Sequence, residues 1–193
     1  MKKHVKEIEE LFDSSINIIK KSKTYAKEID NAAEIIIKCL RNGNKIILFG
    51  NGGSAADAQH MAAEFIGRYL HERQSLPAIS LTTDSSILTA VGNDYGFDEV
   101  FARQCKSLVK KGDVIIAIST SGNSKNVIKG IEEAKKNGGI IVGLGGGNGG
   151  QLKKMSDVSI LIPSKETPRI QEGHRTVIHI LCDLTERQFK QSN

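Results

Sequence analysis

The sequence predicts an α/β fold: a doubly wound, five-stranded parallel sheet with two N-terminal helices ahead of it and a long C-terminal helix behind. Three observations carry this. Five short apolar runs stand between residues 45 and 163, each nearly continuous rather than alternating, as strands buried on both faces are. Helical stretches separate most of them, and β-α-β alternation implies a parallel sheet with crossover helices. Amphipathic periodicity before residue 43 and after residue 167 lies outside that alternation.

The first 42 residues read as two helices. Val5, Ile8, Phe12, Ile16 and Ile19 recur at three- and four-residue steps, as do Ile29, Ala33, Ile36, Ile37 and Leu40. Arg41-Asn42-Gly43 stops the second, with a glycine near the helix C-terminus. Two such helices need something apolar to pack on, either the chain's own sheet or a second subunit. The five strands are expected at 45–50 (KIILFG), 76–81 (LPAISL), 113–119 (DVIIAIS), 140–144 (IIVGL) and 158–163 (VSILIP). Helices are expected at about 54–69, 97–110, 124–137 and 151–155. A final helix over about 168–190 carries Ile170, Val177, Ile178, Leu181 and Leu184 towards a core. With no repeat, low-complexity segment or linker, one domain is expected over 1–193: a helical pair at 1–42, then the α/β core and C-terminal helix at 43–193.

Bulk composition narrows the function. The net charge of +5 suits an anionic ligand. Many of the lysines (Lys2, Lys3, Lys6, Lys20, Lys21, Lys23, Lys27) fall in the first thirty residues and read as solvated helix faces. No stretch interleaves basic residues with aromatics, which disfavours nucleic acid as a partner. Cys39, Cys105 and Cys182 are odd in number and far apart, against a disulfide framework or a thiolate zinc site. The opening MKKHVKEIEELF has no signal-peptide core, and no apolar run reaches the roughly 18 residues a membrane helix needs. A cytoplasmic protein is expected.

In an open parallel sheet, ligands bind where strand carboxyl ends meet helix starts. The first strand is followed by Gly50-Asn51-Gly52-Gly53-Ser54, whose glycines let the backbone approach a ligand before a helix that attracts anions. Gly50, Gly52 and Ala55 also fit a dinucleotide fingerprint. The acidic residue expected about 20 positions on is missing, because the second strand ends near Thr82-Thr83-Asp84. The third strand is followed by Ser119-Thr120-Ser121-Gly122-Asn123-Ser124, a donor-rich cradle suited to a phosphate monoester. Ser124 alone could be a simple N-cap, but four hydroxyls in six residues exceed what capping requires.

Several polar residues could act nearby. His60, Glu64 and Arg68 are spaced by four and line one helix face. The His60/Glu64 pair can be a surface ion pair or a clamp for a divalent metal. Gln171, His174, Arg175 and His179 share the last helix. His174 falls on that helix's apolar stripe and reads as a core histidine, and His179, set within Val177-Ile178-His179-Ile180-Leu181, can be the same or a ligand. Asn93-Asp94-Tyr95-Gly96 reads as a turn or as a hydroxyl-binding loop.

Four strings, FGNGGSAADAQHMAAEFIGRY, LTTDSSILTAVGNDYGFDEVFARQ, ISTSGNSKNV and TPRIQEGHRTVIHILCDLTE, resemble the phosphoheptose isomerases of the sugar isomerase (SIS) superfamily, in order and over almost the whole chain. The resemblance implies a flavodoxin-like SIS domain that converts D-sedoheptulose 7-phosphate to D-glycero-D-manno-heptose 7-phosphate, an entry step to heptose synthesis for lipopolysaccharide, capsule or another glycan. It implies a homotetramer with active sites at subunit interfaces, and zinc. Asn51, Gly52, Gly53, Ser54, Glu64, Asn93, Asp94, Ser119, Thr120, Ser121, Ser124 and Gln171 would hold the phosphorylated seven-carbon sugar. His60, Glu64, Gln171 and His179 would be metal ligands, with Glu64 and His179 catalytic. The segment 143–150 (GLGGGNGG) is richer in glycine than the family's usual loop. A non-catalytic SIS-fold protein that binds phosphosugars or associates with a replication initiator is the alternative, though it would have no need of all four ligand-type residues. An isomerase of the same chemistry on another phosphosugar is the third reading.

Such an isomerase moves a proton between adjacent carbons through an enediol and needs a base at carbon and an acid or Lewis acid at oxygen. Glu64 and His179 fill the first two roles, or both serve as metal ligands, since the roles compete for the same lone pairs. On one continuous helix Gln171 and His179 stand about 12 Å apart, too far to share a metal at ligand distances near 2 Å. Either the two come from different chains or Gln171 precedes the helix.

Overall fold

The computed structural model describes residues 4–190; Lys2 and Lys3, read above as part of a solvated helix face, lie outside them. Strands β1 (Ile46–Gly50), β2 (Ala78–Ser80), β3 (Val114–Ser119), β4 (Ile140–Gly146) and β5 (Val158–Ile162) form one sheet in the order β2-β1-β3-β4-β5, every neighbouring pair parallel. All five expected runs are strands, although β2 keeps only three residues. The order reverses between β1 and β3, so the crevice for a ligand lies between the loops that leave these two strands.

Alternation along each strand assigns the faces. Ile46 and Leu48 point to the side covered by α2 (Ala26–Arg41), α3 (Gly53–Ile66) and α8 (Thr167–Arg187). Ile47 and Phe49 point to the side covered by α5 (Val100–Leu108), α6 (Lys125–Lys136) and α7 (Gly150–Met155). Phe49 stacks on Phe101 of α5 with ring centroids 5.0 Å apart. A Cβ at Gly130 would come within 3.0 Å of both residues, so glycine there brings α6 close to the sheet. Each such side chain stabilises the fold by roughly 1.5–3 kcal/mol through burial.

Both N-terminal helices form, α1 as Val5–Ser22. Their apolar stripes fare differently. α2 buries Ile29, Ala33, Ile36, Ile37 and Leu40 in the chain's own core. α1 leaves Val5, Ile8, Leu11, Phe12, Ile16 and Ile19 exposed, Phe12 to 67%. Arg169 of α8 tethers α1 by donating to the Leu11 carbonyl at 2.8 Å and to the Ser15 hydroxyl.

Three expectations need correction. Residues 85–95, of which only Asn93-Asp94-Tyr95 was read above, as part of a turn or loop, form a helix, α4 (Ser85–Tyr95). The Asp84 carboxylate caps it, accepting from the Ile87 N–H at 3.0 Å, and Gly96 ends it at φ 89°. Asn93 and Asp94 therefore sit on a helical turn, not in a turn or loop. The helix expected over 97–110 is a 3₁₀ turn (Phe97–Glu99) followed by α5. α3 stops at Ile66, so Arg68 leaves the His60–Glu64 face and pairs loosely with Glu72 at 3.9 Å.

The end of α3 is closed by a buried ion pair. The Arg73 guanidinium donates to the carbonyls of Glu64 at 2.6 Å, Phe65 at 2.8 Å and Gly67 at 2.9 Å. Its Nε lies 3.4 Å from the Glu186 carboxylate of α8, and both side chains are 1% exposed. Glu186 in turn accepts the N–H groups of Tyr69, Leu70 and His71. Burial opposes its charge, but these N–H groups and Arg73 outweigh burial and hold the carboxyl below its ordinary range. Among the described residues, no helix is long and apolar enough to cross a membrane.

Candidate active site

At the end of β1 the chain turns through Asn51 and Gly52 into α3. Gly52 takes φ 54°, ψ −121°, a region closed to residues with a Cβ, which is why a glycine stands there. The Ser54 and Ala55 N–H groups close the first turn on the carbonyls of Asn51, at 2.9 Å, and Gly52, at 3.0 Å, so Gly53 opens the helix as its first-turn donor beside the crevice. Ser54, one residue on, is buried. The side-chain amide of Asn51 is engaged with Asn126 of α6: Asn51 Nδ2 donates to Asn126 Oδ1 at 2.8 Å, and Asn126 Nδ2 donates back to Asn51 Oδ1 at 2.9 Å.

At the end of β3 the hydroxyls converge. Ser119 Oγ lies 3.1 Å from Ser124 Oγ and 3.5 Å from Ser121 Oγ. Ser124 holds the N-cap position of α6, yet its side chain makes no capping bond. Capping, the plain explanation for that serine, is therefore not its use. Gly122, at φ 67°, packs so closely on the Gly149 carbonyl that a Cβ would overlap it. Asn123 fastens the loop from behind, donating to the Ser121 carbonyl at 3.0 Å and accepting the Gln151 N–H at 3.1 Å. The glycine-rich segment after β4 thus supports the Ser/Thr loop, with Thr120 and Ser121 half-buried and exposed at its surface.

α3 and α8 run side by side in the same direction, with partners offset by about 118 positions. Gly53 faces Gln171, and a Cβ at Gly53 would overlap the Gln171 carboxamide. Asp57, 1% exposed, binds Arg175 at 2.7 Å. His60 meets His179 with ring centroids 5.1 Å apart and planes nearly perpendicular. The His60 Nε2 is 3.0 Å from Glu64 Oε1, and the Tyr69 ring centroid lies 5.7 Å from that of His179. His60, Glu64 and His179 are all half-buried. Three of the four expected ligands therefore converge in one chain.

The fourth does not join them. Gln171 lies inside the unbroken α8, eight residues and about 12 Å before His179, so it does not precede the helix. Similarly, Glu64 lies eleven residues, roughly 16 Å, along α3 from Gly53. Gln171 belongs to the glycine-loop end, and Glu64 and His179 to the far end. Asn93 and Asp94 are exposed on α4 and bond to each other at 2.8 Å. Among the described residues, no three His, Cys, Asp or Glu side chains stand in ligating geometry.

His174 behaves as a core histidine. It is fully buried, and its Nε2 lies 2.9 Å from the Gly145 carbonyl. A carbonyl only accepts, so Nε2 carries the hydrogen and the ring is the neutral Nε2–H tautomer. Burial drives its pKa down, against that hydrogen bond and the charge of Asp57. Sequence reasoning gave no individual role to Tyr69, Asn123 and Asn126. All three stood within quoted motifs, but contacts across 110, 28 and 75 positions leave no local signal.

The SIS domain family model matches residues 10–146. The chain is 57% identical over 161 residues to a phosphoheptose isomerase of a Nitratiruptor species, covering 83% of this chain and 86% of that protein. It is 50% identical over 181 residues to a phosphoheptose isomerase of Helicobacter hepaticus, covering 94% and 92%. The solved phosphoheptose isomerase from Neisseria gonorrhoeae superposes with a TM-score of 0.90 at 42% identity, covering 94% of this chain and 98% of that one.

Proposed function

Because the chain belongs to the phosphoheptose isomerase family, we propose that it converts D-sedoheptulose 7-phosphate to D-glycero-D-manno-heptose 7-phosphate by aldose–ketose isomerisation. The observation that carries the site assignment is the Ser119–Ser121–Ser124 hydroxyl cluster, left unspent by helix capping at the start of α6. It takes the phosphate, and the start of α3 takes the sugar chain. Glu64 removes the proton from C1 of the ketose and returns it at C2. His179 gives a proton to the C2 oxygen and takes one from the C1 oxygen, so the enediol forms and collapses without net change.

In one chain Gln171 and His179 stand about 12 Å apart along the unbroken α8, with the Gln171 carboxamide against Gly53, too far to hold one metal together. Each site therefore combines the hydroxyl cradle and Gln171 of one subunit with His60, Glu64 and His179 of another, in a homotetramer. Support for association comes from the exposed apolar stripe of α1 and from a groove of about 550 Å³ beside it, lined by Ile19, Ala26, Ile29, Val177, Ile180 and Leu184. Two imidazoles and a carboxylate suit zinc, with the carboxamide of the second subunit's Gln171 as a fourth donor. Bound there, zinc would polarise the sugar carbonyl. Asn93 and Asp94, exposed on α4, would reach the sugar from across the same interface. Burial pushes the three free thiols up to about 11 for Cys39 and about 12 for Cys105 and Cys182, in keeping with a cytoplasmic protein without disulfides.

The test is to follow sedoheptulose 7-phosphate by NMR with the purified protein, with and without a chelator. An aldose 7-phosphate signal is expected, and its dependence on the chelator reads the metal requirement. Binding without any turnover, with Glu64→Gln matching wild type in phosphosugar affinity, would replace the enzyme with a binding protein.

A further inference from the structure

We propose that the reciprocal amide pair Asn51–Asn126 is a lock that holds the two ligand loops at a fixed separation, with Asn126 a positioning residue for the reaction. The two loops leave β1 and β3 on either side of the sheet's reversal point and open into helices on opposite faces. β1 and β3 pair only as far as Gly50 and Ile118, and a further bond must tie the loops beyond them across the crevice. The amide pair does so, with bonds of 2.8 and 2.9 Å. Asn126 is 3% exposed, and its Oδ1 also accepts the Val127 N–H at 2.9 Å, a first-turn donor of α6. That bond fixes which end of the carboxamide is oxygen, and therefore the direction of both bonds to Asn51. Asn126 thus joins the start of α6, which carries the hydroxyl cradle, to the residue that leads into α3.

Two consequences follow from the chemistry. The Asn51 carboxamide spends one of its two N–H groups and one of its oxygen lone pairs on Asn126, so its orientation is set by Asn126 before a ligand arrives. Furthermore, both loops enter the bound state preorganised, and losing either amide frees both loops, with a cost in affinity more than in the chemical step. Because one interaction is shared, removing the second partner after the first adds nothing.

The inference rests on the isomerase reading and is tested by a double-mutant cycle. KM and kcat for sedoheptulose 7-phosphate are measured for wild type, Asn51→Ala, Asn126→Ala and the double variant, each checked for folding by thermal melting. Each single change is expected to raise KM about tenfold while kcat falls by less than about threefold, and the double variant is expected to match the singles. Asn126→Ser, uncharged, keeps a hydroxyl acceptor beside the Val127 N–H and is too short for the reciprocal pair with Asn51; it is expected to melt near wild type and still raise KM. This variant carries the test if Asn126→Ala fails to fold. An unchanged KM in the Asn126 variants, or losses that multiply in the double variant, would overturn the lock, the second outcome making Asn51 a direct ligand. If the wild type shows no turnover, the isomerase reading falls, and the same cycle read on affinity for inorganic phosphate decides the lock by the same criteria.

Discussion

At the scale of single residues, the site is a set of side chains whose partners decide their use. Ser124 stands where a capping serine stands and does not cap, so its hydroxyl remains for a ligand. His174 and His179 share a helix and an apolar neighbourhood, yet one is sealed against the Gly145 carbonyl and the other faces His60 and Tyr69. The sequence stripe separated them only in part, because the difference lies in what packs opposite. Glu64→Gln keeps the shape and the contact with His60 but removes the proposed base; kcat is expected to fall by at least about a hundredfold with phosphosugar affinity within a few-fold of wild type, read by steady-state kinetics and calorimetry. Asn126 could not have been found from sequence, since its bond to Asn51 spans 75 positions.

Whole elements were legible where burial was complete. β1, β3 and β4 are apolar on both faces, and a continuous run of Ile, Leu, Val and Phe is the direct trace of that, whereas the short edge strand β2 leaves Ile79 exposed. α4 was not legible, because it buries no residue and its apolar positions Leu88 and Val91 only flank a core cluster. The Asp84 cap was its one readable sign. The register of α3 against α8 is held at one end by Asp57–Arg175 and closed at the other by Arg73–Glu186. Glu186 has a folded pKa lowered from 4.5, so its ionisation stabilises the fold fully above about that pH, and the contribution is lost as pH falls through the lower folded value. Glu186→Gln strands Arg73 without a counter-charge and is expected to cost about 3–5 kcal/mol near neutral pH. The gap from wild type should narrow as pH drops below about 4.5, as urea melts across pH would record.

For the molecule as a whole, α1 and the separation of the two half-sites point the same way. Periodicity alone left open whether the N-terminal helices cover the chain's own sheet or a second subunit, because a stripe does not say what it meets. The structure gives α2 the first task and leaves the α1 stripe uncovered. Changing Phe12 and Ile16 together to Lys should lower the mass found by light scattering and reduce activity, while the far-ultraviolet dichroism stays unchanged; a full-mass oligomer would argue that α1 plays no part in assembly. The proposed sites are composite, and subunit mixing examines that most directly. Glu64→Gln keeps an intact cradle, whereas Ser119→Ala/Ser124→Ala keeps an intact Glu64 and His179. Co-expressed and purified by two different tags, the mixed oligomer should regain a sizeable fraction of wild-type turnover, because one intact cradle would face one intact carboxylate. Mixed oligomers no more active than either parent would contradict a site shared between subunits.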